Sequence, residues 1–225
     1  MTELPFVSVI MPVRNQADTL VRALGAVLDQ RYPRERMEVL VVDAHSSDAT
    51  YAIAQRATYD RRVRLLDNPR LSAAAGLNIG LEQARGEVVV RVDGNTVLPS
   101  DFLSACVDAL RRSGADSVGA PMHRVGVGAW GRAAALASSS PFGADQGLAR
   151  TVAYRRSALG RAGGWDEGLR LHEDEELGLR LRASGAQLQL APEIRAASYG
   201  ADTPGELLRR GFGRGLWRAA VLRRH

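Results

Sequence analysis

The stretch from Glu87 to Asn95, Glu-Val-Val-Val-Arg-Val-Asp-Gly-Asn, constrains the fold of this chain most. Val88, Val89, Val90 and Val92 are β-branched and nearly continuous, the pattern of a parallel strand covered on both faces. The run stops at Asp93; Gly94 allows a sharp turn, and Asn95 offers a second oxygen. In open α/β sheets ligands bind just outside the carboxyl ends of the strands. Asp93 is therefore placed where a ligand carrying phosphate and metal would be met. Aspartate also caps ordinary turns, and this stretch alone does not separate the two roles.

The preceding residues supply neighbours for that strand. Residues 7–11, closed by Pro12, read as a first strand, and Arg14-Asn15-Gln16 as a polar loop. Asp18 is placed to cap a helix with Leu20, Val21, Leu24, Val27 and Leu28 at helical spacing. Residues 37–42 read as a second strand ending at Asp43, and Ser46-Ser47-Asp48 as the cap of a helix reaching about Ala57. A third strand over 63–66, a turn at Asn68-Pro69 and an alanine-rich helix over 71–84 complete a β-α-β-α-β-α-β series. That alternation predicts a parallel sheet with right-handed crossovers, with Asp43 and Asp93 along one edge. Beyond Asn95 the pattern predicts a helix over 99–113, a strand over 117–120 and a strand over 151–154. A tight turn at Gly163-Gly164-Trp165-Asp166, a helix over 173–184 and a last strand over 186–190 follow. Residues 126–150, rich in glycine, alanine and serine, read as a mobile segment, partly helical over 130–137.

Charge is unevenly spread. The 225 residues carry a net charge of +5, and every basic residue is arginine. Residues 203–225 hold six arginines and one acid, Glu206, which leaves the other 202 residues neutral. The basicity belongs to the tail, which argues against a nucleic-acid-binding face on the globular part. In the tail Leu208, Phe212, Leu216 and Ala220 recur every four residues, the mark of a basic amphipathic helix that can lie on an anionic membrane surface or pack on the domain as a solvated end helix. Its glycines at 211, 213 and 215 weaken such a helix by roughly 1 kcal/mol each. The single cysteine, Cys106, excludes an internal disulfide and a cysteine metal cage. No stretch reaches the ~20 apolar residues of a membrane span, and the first residues lack a signal-peptide pattern. The expected setting is cytoplasmic, with peripheral contact at the inner membrane face through 203–225. The expected organisation is a domain over 1–202, with halves 1–95 and 96–202, followed by the basic helix.

No G-x-G-x-x-G follows the first strand and no Walker motif occurs, which speaks against a dinucleotide dehydrogenase and a P-loop enzyme. Phosphate held here would be held through a metal and side chains. The second notable cluster is Glu173, Asp174, Glu175 and Glu176 at a helix start. The helix dipole favours acids there, but four exceed what a cap needs. Like charges raise one another's pKa, which suits a general base. His172 adjoins them as a metal ligand, a tuning group or a plain polar neighbour.

At this point the chain resembles a family 2 glycosyltransferase of the GT-A fold. The resemblance rests on Val7-Ser-Val-Ile-Met-Pro-Val-Arg-Asn15, Val41-Val-Asp43, Ala75-Gly-Leu-Asn-Ile-Gly80, Arg91-Val-Asp-Gly-Asn95, Gly163-Gly-Trp-Asp-Glu167 and His172-Glu-Asp-Glu-Glu176 in that order. The Arg91 motif and the tail look closest to succinoglycan-type polysaccharide-assembly members. The resemblance implies an α/β fold with a mixed, mainly parallel central sheet, and an inverting transfer of a sugar from a nucleotide-diphosphate sugar, usually a UDP-sugar. The acceptor would be a hydroxyl on a saccharide or a lipid-linked chain. It implies that Pro12, Val13 and Arg14 line the nucleotide pocket and that Asp43 bonds the base. Asn78 would border the donor beside Asp93 and Gly94, with Asp93 and Asn95 as the site for ribose and a divalent Mn or Mg ion. Asp174 would be the base, and Trp165, Asp166 and Glu173 would lie on the acceptor side. Asn95 departs from the family pattern, where a second aspartate is usual, and an amide is a poorer ligand for a hard cation. Two other readings stay open: a nucleotidyltransferase of related fold, which would want a glycine-rich basic loop after the first strand, and a non-catalytic nucleotide-sugar-binding protein.

Overall fold

The computed structural model describes residues 3–126, 128–139, 150–169, 171–199, 203 and 205. In chain order the elements are β1 (Val7–Val13), α1 (Ala17–Leu28), β2 (Met37–Asp43), α2 (Thr50–Ala57), β3 (Val63–Asp67), α3 (Ala73–Gln83), β4 (Val88–Arg91), β5 (Thr96–Val97) and α4 (Phe102–Ser113). They continue with β6 (Ser117–Ala120), β7 (Met122–Val125), α5 (Gly128–Ser139), β8 (Arg150–Arg155), α6 (Arg156–Ala162), α7 (Glu173–Ala183), β9 (Leu188–Leu190) and β10 (Ala196–Tyr199). The basic tail helix expected over 206–224 lies outside the described residues, as do 127 and 140–149 of the segment expected to be mobile; the helix expected over 130–137 falls within α5.

Seven strands form the central sheet in the order β3-β2-β1-β4-β8-β6-β9. The first four are parallel, with Val13 level with Asp43 and Ile10 level with Arg91. β8 runs antiparallel to both β4 and β6, and β9 is parallel to β6. One sheet thus carries residues from both expected halves of the domain. The continuous apolar runs have their expected physical reason: alternate side chains enter cores on opposite faces. Val7, Val9, Met11, Val39, Val41, Val88 and Val90 pack with α1, α2 and α4 on one face. Ile10, Leu40, Val42 and Val89 pack with α3, α6 and α7 on the other. Burying each such side chain stabilises the fold by about 1.5–3 kcal/mol.

A second sheet of three strands, β5-β10-β7, was not expected from sequence. β10 pairs antiparallel with β5 and parallel with β7. These strands are two to four residues long, and Ala-Ala-Ser-Tyr carries no β-branched signature. The seven-residue α6 is likewise too short to show a helical period. At α1 the N-cap is Gln16, and Asp18 sits inside the first turn; the Ala17 N–H is met instead by Asp48 Oδ2 at 3.1 Å. α2 starts only at Thr50. Gly94 does not take a left-handed backbone. Its requirement is close approach: a Cβ there would stand 2.3 Å from Gln16 Oε1 and 3.0 Å from Val13 Cγ1.

Candidate functional site

The carboxyl ends of β1, β2 and β4 form one edge, and the loops leaving them are cross-braced. Asp43 is buried and accepts the Ser46 N–H at 3.0 Å and the Ser46 hydroxyl at 2.6 Å. The Asn15 N–H donates to Ser46 Oγ at 3.0 Å, and Asn15 Oδ1 accepts the Ser47 N–H at 2.8 Å. Asn15 holds φ 50°, a left-handed conformation that asparagine tolerates better than most residues. The Gln16 N–H donates to Thr50 Oγ1 at 2.7 Å. These bonds fix the loop after β1 against the loop after β2. Pro12 is half-buried and Val13 buried beside Asp43, while Arg14 is exposed on the loop. This is the arrangement of a shallow, rigid shelf with a carboxylate at its back.

The centre of the site is a residue that sequence reading passed over. Arg91 closes β4 and is almost wholly buried. Its Nε donates to Asp93 Oδ1 at 3.1 Å, Nη1 to Asp174 Oδ1 at 2.6 Å, and Nη2 lies 2.8 Å from Glu173 Oε1. Burial opposes the Arg91 charge, but Asp174, Asp93 and Glu173 outweigh it and hold the guanidinium well above its ordinary value. A planar cation with five donors in a fixed fork suits this task, and an ammonium does not. The signal was present in sequence: an arginine inside a valine run must be paired when the run is buried, and four acids stand in one later cluster.

That cluster divides its partners. Glu173 and Asp174 turn to Arg91; Glu175 takes His172 Nδ1 at 2.9 Å; Glu176 takes Arg180 at 2.6 Å. His172, considered above as a metal ligand, engages Glu175 and holds φ 65° at the N-cap of α7. Asp174 Oδ1 also accepts Trp165 Nε1–H at 3.1 Å. The Trp165 ring is buried and packs edge-on against Tyr154 with centroids 5.6 Å apart. Asp166 turns its Oδ1 to the Gly168 N–H at 2.8 Å.

Asn78, on α3, braces the turn that carries Trp165. Its Oδ1 accepts the Trp165 N–H at 2.9 Å, and its Nδ2 donates to the Trp165 carbonyl and to Glu167 Oε1, both at 2.9 Å. Gly164 beside it has φ 73°, and a Cβ there would stand 2.5 Å from Asn78 Oδ1. The Gly163-Gly164-Trp165 turn is therefore locked to α3, and through the Trp165 indole it sets the angle of Asp174.

Among the described residues no three His, Cys, Asp or Glu side chains gather as a metal cage. Divalent ions on diphosphates need less: one or two carboxylates, the rest supplied by phosphate and water. The Asp93 carboxylate, partly exposed at the sheet edge, fits that requirement. Asn95 uses Nδ2 to donate to the Tyr199 carbonyl at 3.0 Å, tying the Asp93 turn to β10.

This architecture is the GT-A glycosyltransferase fold. The chain is similar over 99% of its length, and over 64% of the other chain, to the mannosyltransferase PcManGT of Pyrobaculum calidifontis, solved with GDP-Man and Mn2+, with a TM-score of 0.77 at 24% identity. It is also similar to S. aureus TarS in complex with UDP, with a TM-score of 0.70 at 19% identity over 87% of this chain and 61% of that one. The chain belongs to glycosyl transferase family 2, whose family model matches residues 8–166. Among relatives, it is 29% identical to the succinoglycan biosynthesis protein ExoA of Rhizobium meliloti, across 96% of this chain and 70% of that protein. It is 38% identical to glycosyltransferase AglE of Haloferax volcanii across 52% of this chain, which spans 39% of that relative's length.

Proposed function

We propose that this chain transfers a sugar from a nucleotide-diphosphate sugar to an acceptor hydroxyl, with inversion at the anomeric carbon. One observation carries the reading: Asp93, after the valine strand, and Asp174, at the start of α7, meet on the same guanidinium. The two acids that the reaction needs, one for the leaving diphosphate and one for the incoming hydroxyl, thus share one edge of the sheet.

In this reading Asp43 bonds the base, with Pro12, Val13 and Arg14 as the floor of the nucleotide shelf. Family resemblance favours uracil, and the UDP complex of TarS supports it, while the GDP-Man complex of PcManGT keeps guanine open. Asp93 would hold a divalent ion, Mn or Mg, with the Asn95 turn beside it. Such an ion, when bound, neutralises charge on the departing diphosphate. Asp174 takes the proton of the acceptor hydroxyl as its oxygen bonds to the anomeric carbon. The bond from that carbon to the diphosphate oxygen breaks, and its electron pair leaves with the diphosphate. Arg91 and Trp165 both donate to Asp174 Oδ1, which holds the carboxylate in one orientation. Glu173, Trp165 and Asp166 border the acceptor side.

The acceptor is a saccharide or lipid-linked hydroxyl in polysaccharide assembly, a reading supported by the name of the succinoglycan relative. Among the described residues no helix is long and apolar enough to cross a membrane; peripheral membrane contact rests on the basic tail, and a cytoplasmic setting on the single cysteine, Cys106. The intact carboxylate pair favours turnover over simple binding. The test is release of nucleotide diphosphate from UDP- and GDP-sugars, with and without Mn2+, by the natural chain and by Asp174→Asn. Tight binding with no turnover in either protein would make it a binding protein, and α-linked product from an α-linked donor would end the inverting reading.

A further inference from the structure

The turn from Ala162 to Gly168 carries Trp165, whose Nε1–H reaches Asp174 Oδ1 at 3.1 Å. Its leading half is tied to α7, where Arg180 donates to the carbonyls of Ala162 and Gly164. Its trailing half is tied to α3. The Asn78 amide meets the N–H and the carbonyl of Trp165 and gives its remaining Nδ2 hydrogen to Glu167 Oε1, each at 2.9 Å. An amide nitrogen has two donors, so both are engaged only while Glu167 is in place.

Glu167 is itself aimed. Its Oε1 faces Asn78, and its Oε2 lies 2.8 Å from Arg70 Nη1. Arg70 stands in the turn between β3 and α3, and that turn is cross-bonded. The Arg70 N–H donates to Oδ1 of the buried Asn68 at 3.2 Å, and Asn68 Nδ2 donates to the Ser72 carbonyl at 2.8 Å. The Asn68 carbonyl accepts the Leu71 N–H at 3.3 Å. Leu71 holds φ 63°, a left-handed conformation that leucine keeps only where its surroundings over-determine it. The side chains of Arg70 and Glu167 are 48% and 30% exposed. An ion pair this open adds little to stability, so its effect is on where Glu167 points.

We propose that Glu167, held by Arg70, is a positioning residue for Asp174, acting through Asn78 and the Trp165 indole. The inference rests on the sugar-transfer reading, in which Asp174 takes the acceptor proton. A general base must stand within about 2.6–3.2 Å of the hydroxyl oxygen it serves, so a small swing of the carboxylate costs rate. Without Glu167 the Asn78 amide loses one anchor and the stretch from Trp165 to Gly168 gains freedom. The indole then no longer fixes the angle at which Oδ1 lies on Arg91.

The test compares Glu167→Ala, Glu167→Gln and Arg70→Met in the full chain. It reads the Trp165 indole N–H resonance by NMR, assigned through its loss in Trp165→Phe, together with kcat, KM for the donor and the melting temperature. Glu167→Ala should move the indole proton upfield and lower kcat at least about tenfold, since a misplacement of ~1 Å costs up to about 10²-fold. KM for the donor should stay nearly unchanged, because Asp43 and Asp93 keep their partners. Glu167→Gln, whose amide oxygen still accepts from Asn78, should recover most of both effects. Arg70→Met leaves the Asn78 bond in place; it should fall between the two, and it decides alone if Glu167→Ala does not fold. An unmoved indole resonance, a kcat loss that Glu167→Gln does not relieve, or one that only tracks a fall in melting temperature would overturn the proposal. If the natural chain transfers no sugar, the indole resonance decides. A shift in Glu167→Ala that Glu167→Gln reverses then keeps the hold on Asp174 and sinks the sugar-transfer reading; no shift overturns the hold itself.

Discussion

Arg91 Nη1 donates to Asp174 Oδ1 at 2.6 Å, joining the end of β4 to the start of α7 across 83 residues of sequence. The same guanidinium holds Asp93 and Glu173. Breaking a buried ion pair from one side costs about 3–5 kcal/mol, because the remaining charges lose their partner. Arg91→Met should therefore lower unfolding free energy by about that amount in urea titrations, and Arg91→Lys, which keeps the charge but not the fork, by less. A loss under about 1 kcal/mol in Arg91→Met would mean that the three acids find other compensation.

Asp174→Asn separates chemistry from architecture. An amide oxygen can still accept from Trp165 Nε1 and from Arg91, the two donors now on Oδ1, so the fold should stand. What is lost is a base, worth about 10²–10⁴ in rate. The expected outcome is a fall in kcat of that size with KM for the donor nearly unchanged. Retention of more than about a tenth of the natural kcat would place the proton acceptor elsewhere.

Asn95→Asp restores the acid usual in the family, but not without a penalty. Asn95 Nδ2 donates to the Tyr199 carbonyl, and the Asn95 carbonyl accepts the Tyr199 N–H, both at 3.0 Å. A carboxylate would face that carbonyl oxygen and lose the side-chain bond, at about 1–3 kcal/mol. The variant should be less stable than the natural chain at pH 7, and the gap should narrow near pH ~4, where a protonated carboxyl can again donate. A second carboxylate also makes a better site for a hard cation, so Mn2+ with UDP or GDP should raise its melting temperature more than that of the natural chain. Thermal melts at both pH values, with and without Mn2+, read both effects.

The parallel half of the fold was legible because burial on both faces writes itself into sequence as valine-rich apolar runs, as in β1, β2 and β4. The edge was legible too, since Asp43 and Asp93 close two such runs. What escaped was the function of residues between the signals. Arg91 was read as one letter of a motif, although a cation within a buried strand requires counter-charges, and beside Asp93 these come from Glu173 and Asp174, far along the chain. Asn78 was read only as bordering the donor, and the three hydrogen bonds of its amide to Trp165 and Glu167 were not foreseen. No local pattern reports a long-range contact of that kind. The small sheet of β5, β10 and β7 was invisible for another reason: strands this short are specified by their partners, not by their own composition.

Away from the site, Asp60 tests the electrostatics of the scaffold. Arg62 clamps it through Nε at 3.0 Å and Nη2 at 2.6 Å, and Arg62 Nη1 also donates to the Leu28 carbonyl at the end of α1. The side-chain bonds from Arg62 prevail over partial burial and, with the Arg62 N–H and charge, bring the Asp60 carboxyl from 3.8 down to about 2. A carboxyl depressed by folding contributes its stability in full above the unfolded value and loses it as pH falls through the folded one. The contribution should therefore be complete above pH ~4 and fade towards pH ~2, amounting to about 1–2 kcal/mol once partial exposure is allowed for. Asp60→Asn should be less stable than the natural chain at pH 6 by that amount, and the difference should shrink steadily as urea titrations are repeated down to pH ~2.5. A difference that stays constant with pH would assign the loss to the amide's fit beside Arg62 and the turn before β3, not to the charge.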